Sequence, residues 1–268
     1  MTVAFRKVHG SGNDFLLVTG FEDEREWRAL GPRVCERRTG VGADGLVVST
    51  VVGEASAVLN VLCVNQDGSV ATLCANALRC AAWCASLDHG WSTMSLVMEG
   101  IPHDAVVEGR HVRVTVEAGD VGPERVAHRH PGEAAPLVFD AVRVGAEHLV
   151  ALVDDVERID FPLLVRSLRA REPAAAGTNI SVVQPLGGRE LVSRTHENGA
   201  QEEALSCASG AVAAAVVAAR RGTLEAGAGV TVHNRAGTPL TVTAHTERSS
   251  YWVGGPVTHV FDGRLDLA

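Results

Sequence analysis

Two hydrophobic patterns alternate along the chain. Short stretches in which apolar residues cluster or alternate with polar ones predict β-strands, and they fall at residues 3–8, 15–18, 46–51, 58–64, 95–116, 138–144, 149–153, 180–183, 190–195, 230–232, 240–244, 251–253 and 256–261. Longer amphipathic or alanine-rich segments predict helices at 27–37, at 75–85, at 161–171 and after Cys207. The patterns together indicate an α+β protein.

The predicted elements occur in the same order in the two halves of the chain. In each half, strands and a glycine-bearing loop lead to a cysteine and then to an alanine-rich helix. Residues 119–132 are rich in glycine and proline, which favours a linker. We therefore expect an N-terminal domain at 1–118, a C-terminal domain at 119–255, and a final strand at 256–268 that returns to the first domain.

The candidate chemistry lies at the starts of the two alanine-rich helices. Cys74 precedes the first of them, and Cys207 precedes the second, which ends in two arginines. A helix N-terminus carries partial positive charge, which stabilises a thiolate and lowers the pKa of a thiol placed there. Two such thiols in opposite halves of the chain suggest a two-base site between two domains.

Charge and hydropathy exclude several classes of partner. The formal charge of −8 and the isoelectric point near 5.8 argue against a nucleic acid or an anionic membrane as partner. The sequence contains no apolar run of about 18 residues, the length of a membrane-spanning helix, and residues 1–10 lack a signal-peptide pattern. The expected location is the cytoplasm, and a homodimer is left open.

The cysteine and lysine content narrows the possible cofactors. In a reducing compartment the six cysteines stay thiols, and without a C-x-x-C pair they do not suggest a zinc site. Cys35, Cys63, Cys80 and Cys84 are interpreted as small buried hydrophobic residues. Lys7, the single lysine, lies in an early strand and is a poor Schiff-base residue for pyridoxal phosphate. We therefore expect neither a cofactor nor a metal.

Six motifs, taken in order, carry a family resemblance. They are HGSGNDF at 9–15, GVGADGL at 40–46, NQDGS with C-x-N-x-x-R-C at 65–80, GTN at 177–179, C-x-S-G-A at 207–211 and GGPVTHVFDG at 254–263. Together they resemble the diaminopimelate epimerase family over nearly the whole chain. The resemblance implies two pseudo-symmetric domains, each a curved, mostly antiparallel sheet around a central helix, with the active site in the cleft between them.

The resemblance also implies a reaction and a set of site residues. Family members invert the α-carbon of an amino acid without a cofactor: one cysteine acts as a thiolate base and the other as a thiol acid, and Cys74 and Cys207 match these positions. Backbone N–H groups at the two helix starts would bind the α-carboxylate. The matching substrate-binding positions are Asn13, Asn65, Ala75, Asn76, Asn179, Glu197, Ala208 and Ser209.

The departures from the family pattern concern the part of the site that holds the distal end of diaminopimelate. Ala146 replaces an asparagine, and residues 196–204 lack the arginine that pairs with the distal carboxylate. Glu147 and Glu197 are expected to add negative charge at the same end. These changes predict a basic or imidazole amino acid as substrate rather than diaminopimelate.

Three other readings of the sequence stay open to different degrees. One is diaminopimelate epimerase itself, and another is a degenerate binding protein that kept the fold without the chemistry. The intact cysteines and their helices disfavour the degenerate protein. A cysteine hydrolase using Cys207 and His196 is a poorer match, because the nucleophile elbow of such enzymes is absent from the sequence.

Overall fold

A computed structural model describes residues 2–20, 24–53, 55–122, 125–130, 135–200, 202–224, 229–245 and 249–266. The chain divides into two compact units. Unit 1 comprises Met1–Thr115 and Gly254–Ala268, and unit 2 comprises Val116–Val253. The described residues of each unit combine a β-sheet with two α-helices.

Unit 1 contains a closed sheet. Its strands are β1 (Thr2–Gly10), β2 (Asn13–Thr19), β3 (Gly45–Gly53), β4 (Val58–Asn65), β5 (Thr93–Met98), β6 (Ile101–Glu108), β7 (His111–Glu117, which ends at the unit boundary) and the later part of β15 (Ser250–Asp266). Neighbouring strands follow this order, and β15 also pairs with β1, which closes the sheet. Its helices are α1 (Glu24–Cys35) and α2 (Ala75–His89).

Unit 2 contains a second set of strands in an open order. They are β8 (Arg125–His128), β9 (Leu137–Val144), β10 (Ala146–Leu152), β11 (Asn179–Gly187), β12 (Glu190–His196), β13 (Val230–His233), β14 (Leu240–Ala244) and the first residues of β15. The helices are α3 (Phe161–Arg171) and α4 (Ala208–Arg220), with short 3-10 helices at Val156–Arg158 and Pro173–Ala175.

Both units use the same sequence of strand pairings. In unit 1, β1/β2, β3/β4 and β5/β6 are antiparallel, whereas β2/β3 and β4/β5 are parallel. In unit 2, β9/β10, β11/β12 and β13/β14 are antiparallel, whereas β10/β11 and β12/β13 are parallel. The parallel pairs follow from helical crossovers such as α1 and α3, so the sheet is mixed.

The two alanine-rich helices are buried on almost every side. All of residues 75–85 in α2 are buried, and so are most residues of α4. A helix that is apolar all round must lie inside a protein, and alanine side chains allow the surrounding strands to approach it closely. The outer helices α1 and α3 instead bury one face each, in cores that include Trp27 and Phe161.

Two expectations about local structure need correction. The helix predicted at 27–37 runs from Glu24 to Cys35, and the candidate linker at 119–132 contains strand β8, which pairs with β9. The Gly119 and Gly122 N–H groups also donate to the carbonyls of Arg143 and Ala141. Glycine and proline mark turns, but composition does not reveal that this backbone pairs with the edge of β9.

Over the described residues, the structure contains no helix whose length and apolar character would suit it to cross a bilayer.

Candidate active site

Cys74 is the residue that caps the N-terminus of α2. Its backbone is extended, with φ −137° and ψ 95°, and the Leu78 N–H donates to its carbonyl to begin the helix. The tight turn before it is held by the Asn65 amide, which donates to the Ser69 hydroxyl at 3.0 Å. This arrangement places a thiol next to the first N–H groups of the helix, those of Ala75 and Asn76, which have no intrahelical acceptor.

A chain of polar side chains leads from the interior of α2 to Cys74. The Arg79 guanidinium donates to Asn76 Oδ1 at 2.6 Å, and Asn76 Nδ2 donates to Asn13 Oδ1 at 3.2 Å. Asn13 Nδ2 in turn donates to Asp44 Oδ2 at 2.8 Å. A guanidinium only donates and a carboxylate only accepts, so the two ends fix the orientation of both amides. Asn13 therefore presents its oxygen to Cys74 Sγ, 3.9 Å away.

An ion-pair cluster holds the loop that carries Asp44. Asp14 accepts from Arg37, with the shorter contact at 2.8 Å, and lies 2.5 Å from Lys7 Nζ. Arg37 also contacts Asp44 at 2.7 Å, and Lys7 additionally donates to the Gly42 carbonyl. Burial alone would raise the pKa of Asp14, but hydrogen bonds from Arg37 and Lys7 outweigh it and hold that pKa at about 2.

The remaining cysteines of unit 1 are buried side chains. A hydrogen bond with Cys74, together with burial, raises the pKa of Cys63 well above the ordinary thiol value. Burial raises the pKa of Cys35 and of Cys84 to about 12, and raises that of Cys80 as well. These four thiols therefore stay protonated at neutral pH, whereas Cys74 is the partly exposed cysteine of this unit.

Cys207 caps the N-terminus of α4 in a similar backbone conformation, with φ −116° and ψ 110°. The Gly210 N–H donates to its Sγ at 3.2 Å, and the Ser209 hydroxyl lies 3.4 Å from that sulfur. The sequence-based expectation of a lowered pKa is wrong for this thiol. Burial raises the pKa of Cys207 most, and the charge and hydrogen bond of Glu197 raise it further, against the opposing hydrogen bonds from Ser209 and Gly210.

Asn179 joins two segments beside Glu197. Its Oδ1 accepts from the Asn198 N–H at 2.8 Å, and its Nδ2 lies 3.3 Å from His148 Nε2. His148 is fully buried, and burial lowers its pKa to about 4, so the ring is neutral at pH 7. Asn179 thereby fixes the start of the 197–200 turn.

The expected role of Glu147 in the distal part of the site is wrong. Side chains alternate along β10, so Glu147 points away from the face that buries its neighbour His148. Its side chain is 54% exposed and pairs with Arg143 at 3.7 Å. Glu197, in contrast, hydrogen-bonds the Cys207 thiol, and its negative charge raises the pKa of that thiol.

A second arginine-carboxylate pair supports the segment that leads into α4. Arg194 makes two contacts with Glu203, at 2.9 and 2.8 Å, and donates to the Val156 and Ile159 carbonyls. Its guanidinium also lies over the Phe161 ring, 5.1 Å from the centroid. Arg194 therefore holds Glu203 against β12 and fixes the segment that precedes Cys207.

The predicted residues thus fall into two groups, one in each unit. Asn13 and Asn76 lie with Cys74, where Ala75 begins the helix; Ser209 and Glu197 lie with Cys207, where Ala208 begins the helix. Asn65 is the last residue of β4, and Asn179 is the first residue of β11 and contacts the turn that follows β12.

Sequence reasoning missed Asp44 and Arg79, which orient Asn13 and Asn76. A charged residue in an otherwise apolar helix, and an aspartate in a glycine loop, were the available signals.

Among the described residues, His, Cys, Asp and Glu side chains nowhere form a group of three that could hold a metal ion.

Known proteins resemble this chain in fold and in sequence. A phenazine biosynthesis protein PhzF family structure from Enterococcus faecalis superposes with a TM-score of 0.70 at 15% identity, covering 100% of both chains. A hydroxyproline epimerase from Agrobacterium vitis with bound trans-4-hydroxy-L-proline gives a TM-score of 0.70 at 12% identity, covering 99% of this chain and 93% of that one. At these identities the likeness defines the fold.

Sequence similarity identifies the family. The diaminopimelate epimerase family model matches residues 5–130 and 140–260. The diaminopimelate epimerase of Aquifex aeolicus is 33% identical over 275 residues, which cover 97% of each chain. The protein is an isomerase of the epimerase and racemase class. The chain belongs to the diaminopimelate epimerase family.

Proposed function

We propose that this protein inverts the α-carbon of a free amino acid by a two-base mechanism that uses Cys74 and Cys207 and no pyridoxal phosphate. The observation that carries the proposal is that each cysteine caps the N-terminus of a buried helix within a family motif. A structural cysteine at one helix start would be unremarkable, but two in matching positions fit a reaction that needs an acid and a base.

In the proposed reaction, one cysteine thiolate takes the α-proton and becomes a thiol. The bond electrons remain on the α-carbon as a carbanion delocalised into the carboxylate. The other cysteine, a thiol, then donates its proton to the opposite face and becomes a thiolate. The N–H groups of Ala75, Asn76, Ala208 and Ser209 would bind the carboxylate and stabilise the developing charge.

The position of Lys7 supports a reaction without pyridoxal phosphate. A Schiff base needs a lysine that can reach a carbonyl as a free amine. Lys7 is buried, and its Nζ lies 2.5 Å from Asp14 and donates to the Gly42 carbonyl. The chain's single lysine is therefore engaged by Asp14 and the loop that carries Asp44, and it is not presented as a free amine.

The proposal includes a symmetrical origin for the two half-sites. The two sequence-predicted domains, with boundaries at 118/119 and 255/256, would be equivalent halves that correspond closely to the two units. The identical alternation of antiparallel and parallel pairs in β1–β6 and β9–β14 supports this, as does the equivalent place of α2 and α4 in each unit. In each half the same backbone geometry presents a cysteine.

For the substrate, we propose a basic or imidazole amino acid. Asn198 occupies the position of the family's distal arginine, and Ala146 replaces an asparagine. A second carboxylate buried without a partner costs several kcal/mol, on the order of the desolvation penalty of an ion. A cationic side chain avoids that cost. Glu147 is largely exposed and pairs with Arg143, so this proposal depends on positions 198 and 146.

Diaminopimelate is the second candidate substrate, and two observations favour it. The relative from Aquifex aeolicus bears the name diaminopimelate epimerase. In addition, Arg169 of α3 donates from Nη2 to the Glu197 carbonyl at 3.3 Å, and its buried Nε has no hydrogen-bond partner among the described residues. A guanidinium beside the 197–200 turn could replace the arginine that is missing at position 198.

Incubation with candidate amino acids in deuterated water tests the function. The panel contains L-histidine, L-ornithine, L-arginine, LL-diaminopimelate and, as a neutral control, L-leucine. NMR follows α-proton loss, and chiral chromatography follows inversion. We expect exchange and inversion together with a basic amino acid, and no inversion in the Cys74→Ala or Cys207→Ala variants. A protein that exchanges none of the panel, or exchanges it equally well without the two cysteines, would refute the proposal.

A further inference from the structure

Arg79 is a buried charge in the middle of an apolar helix. Its relative exposure is 0%, and it is flanked in α2 by buried residues such as Leu78 and Cys80. Gly10 leaves room for the guanidinium, since a Cβ at that glycine would lie 3.1 Å from Nη2. Burying an ion is expensive unless an opposite charge accompanies it. A group that compensates Arg79 is therefore to be expected nearby.

The hydrogen-bond partners of Arg79 are neutral. Nη2 donates to Asn76 Oδ1 at 2.6 Å and Nη1 donates to the Pro256 carbonyl at 3.3 Å, whereas the buried Nε has no partner among the described residues. Within the described part of the chain, no carboxylate lies at ion-pair distance from the guanidinium. Hydrogen bonds therefore satisfy part of this group without neutralising its charge.

Two thiols are the groups near Arg79 that could become anions. Burial lowers the pKa of Arg79 to about 10, and the thiolate forms of Cys80 and Cys74 act in the opposite direction. Cys80 is fully buried and its own pKa is raised well above the ordinary value. Cys74 is partly exposed and lies at the positive end of the helix, so it is the thiol that can ionise.

We infer that Arg79 is a positioning residue that favours Cys74 as the thiolate in the resting enzyme, an inference that rests on the proposed function and deepens it. The uncompensated guanidinium is neutralised when Cys74 loses its proton. Since Glu197 beside Cys207 favours the protonated thiol, the resting enzyme holds its base at Cys74 and its acid at Cys207.

Other groups that face Cys74 are uncharged or are already paired. Asn13 Oδ1 accepts from the thiol and so favours protonation, but 3.9 Å is a long contact for a weak S–H donor. On β4, Cys63 shares a hydrogen bond with Cys74 and is itself protonated. Asp14 and Asp44 lie behind Asn13, and Lys7 and Arg37 pair with them. The guanidinium remains the unpaired charge.

Two matched substitutions separate the charge of Arg79 from its hydrogen bond. Arg79→Lys keeps the positive charge, and Arg79→Gln keeps a donor for Asn76 without the charge. The rate at which iodoacetamide alkylates Cys74 is measured from pH 5 to 10 by peptide mass spectrometry. At pH 5, below the expected midpoints, we expect Arg79→Gln to react about tenfold more slowly, equivalent to one unit in the midpoint, while Arg79→Lys follows the parent.

A parent-like alkylation profile for Arg79→Gln would overturn the inference, because the hydrogen bond alone would then suffice. If Arg79→Gln does not fold, the thiolate absorbance at 240 nm of the parent is compared with that of Cys74→Ser. A Cys74 midpoint below about pH 7, far enough under the ordinary thiol value of about 8.5 for the thiolate to predominate at neutral pH, supports the inference, and a midpoint at or above about pH 7 overturns the inference. Neither measurement uses a substrate, so absent α-proton exchange would count against the proposed function alone.

Discussion

The starts of α2 and α4 differ in their surroundings although their backbones are alike. Each helix is buried, rich in alanine and capped by a cysteine in extended conformation. Beside Cys74 the buried cation Arg79 has no carboxylate at ion-pair distance among the described residues, whereas beside Cys207 the carboxylate of Glu197 hydrogen-bonds the thiol. One scaffold can therefore favour opposite protonation states, because the side chains beside the thiol decide which form is stabilised.

This difference suits a reaction that needs one thiolate and one thiol. If the surroundings of the two cysteines were identical, both thiols would favour the same protonation state. Two thiols or two thiolates cannot supply the acid and the base together. A helix N-terminus alone lowers the pKa of any thiol placed there. At Cys207, burial and then the Glu197 carboxylate raise the thiol pKa instead, and the sequence-based expectation of two similar thiols did not include either effect.

Removing each cysteine in turn gives the largest expected effect. We expect Cys74→Ala and Cys207→Ala each to lose inversion by about 10³-fold or more, because one face of the α-carbon then has no proton donor or acceptor. The two variants should differ in solvent exchange. Cys207→Ala keeps the thiolate at Cys74 and should exchange the α-proton of one enantiomer, whereas Cys74→Ala should exchange the other enantiomer more slowly.

The measurement is α-deuterium incorporation into each enantiomer separately, followed by NMR. Cys84→Ala is a suitable control, since that thiol is buried elsewhere on α2. Equal residual exchange in the two catalytic variants would show that the surroundings of the two cysteines are electrostatically equivalent, and would contradict the assignment of the thiolate to Cys74 and the thiol to Cys207.

The arginine–aspartate pairs near the C-terminal ends of α2 and α4 differ in burial. Arg221, the residue that caps α4, contacts Asp140 of β9 at 2.7 Å, and that carboxylate is buried. Asp88 of α2 pairs with Arg6 of β1 at 2.6 Å, but both side chains are about one-third exposed. Asp140→Asn should cost about 3 kcal/mol of unfolding free energy, because it leaves a partly buried arginine unpaired. Asp88→Asn should cost less than about 1 kcal/mol.

Urea unfolding measures both free energies, and hydrogen exchange of the α2 and α4 peptides shows which unit loses protection. The two variants serve as each other's control, since each removes one charge from the same kind of helix-to-strand contact. Similar losses in the two variants would indicate that burial does not distinguish the two pairs.

The response to acid should also differ between the units. His148 in unit 2 has a pKa lowered to about 4, below its unfolded value near 6.5. The unfolded chain binds this proton first, so unit 2 loses stability as the pH falls from about 6.5 to 4, on the order of 3 kcal/mol. Asp14 in unit 1 has a pKa of about 2, so its contribution is complete above about pH 4 and is lost below that.

Hydrogen exchange at pH 7, 5 and 3 tests this order. We expect α4 to lose protection by pH 5, and α2 to lose it only near pH 3. His148→Gln should reduce the pH dependence of α4 without changing that of α2, and Asp14→Asn should do the reverse. Loss of protection in both helices at the same pH would count against the assignment.

Much of this fold follows from the sequence because its strongest signals are local. The helix predicted at 161–171 matches α3 residue for residue, and both cysteines cap the helices expected of them. Long-range side-chain partners are a different matter. Arg79 and Asp44 are far apart in sequence, and only the folded chain shows that they orient the same two amides. Likewise, the outward direction of Glu147 depends on the register of β10.

The smallest expected effect concerns the substrate, and it tests whether specificity resides on the Cys207 side. Asn198→Arg combined with Ala146→Asn restores the family residues at both departures. We expect kcat/KM for LL-diaminopimelate to rise by about tenfold relative to the best basic amino acid, which corresponds to about 1.4 kcal/mol at the transition state.

The control is Arg169→Gln in the parent, which removes the guanidinium beside Glu197 while leaving the cysteines unchanged. If the parent already prefers diaminopimelate by tenfold and Arg169→Gln abolishes that preference, then Arg169 supplies the distal cation and the basic-substrate proposal is wrong. If Arg169→Gln leaves the ratio unchanged and the double variant shifts it, positions 146 and 198 determine specificity, because a distal carboxylate is bound only where an arginine can pair with it.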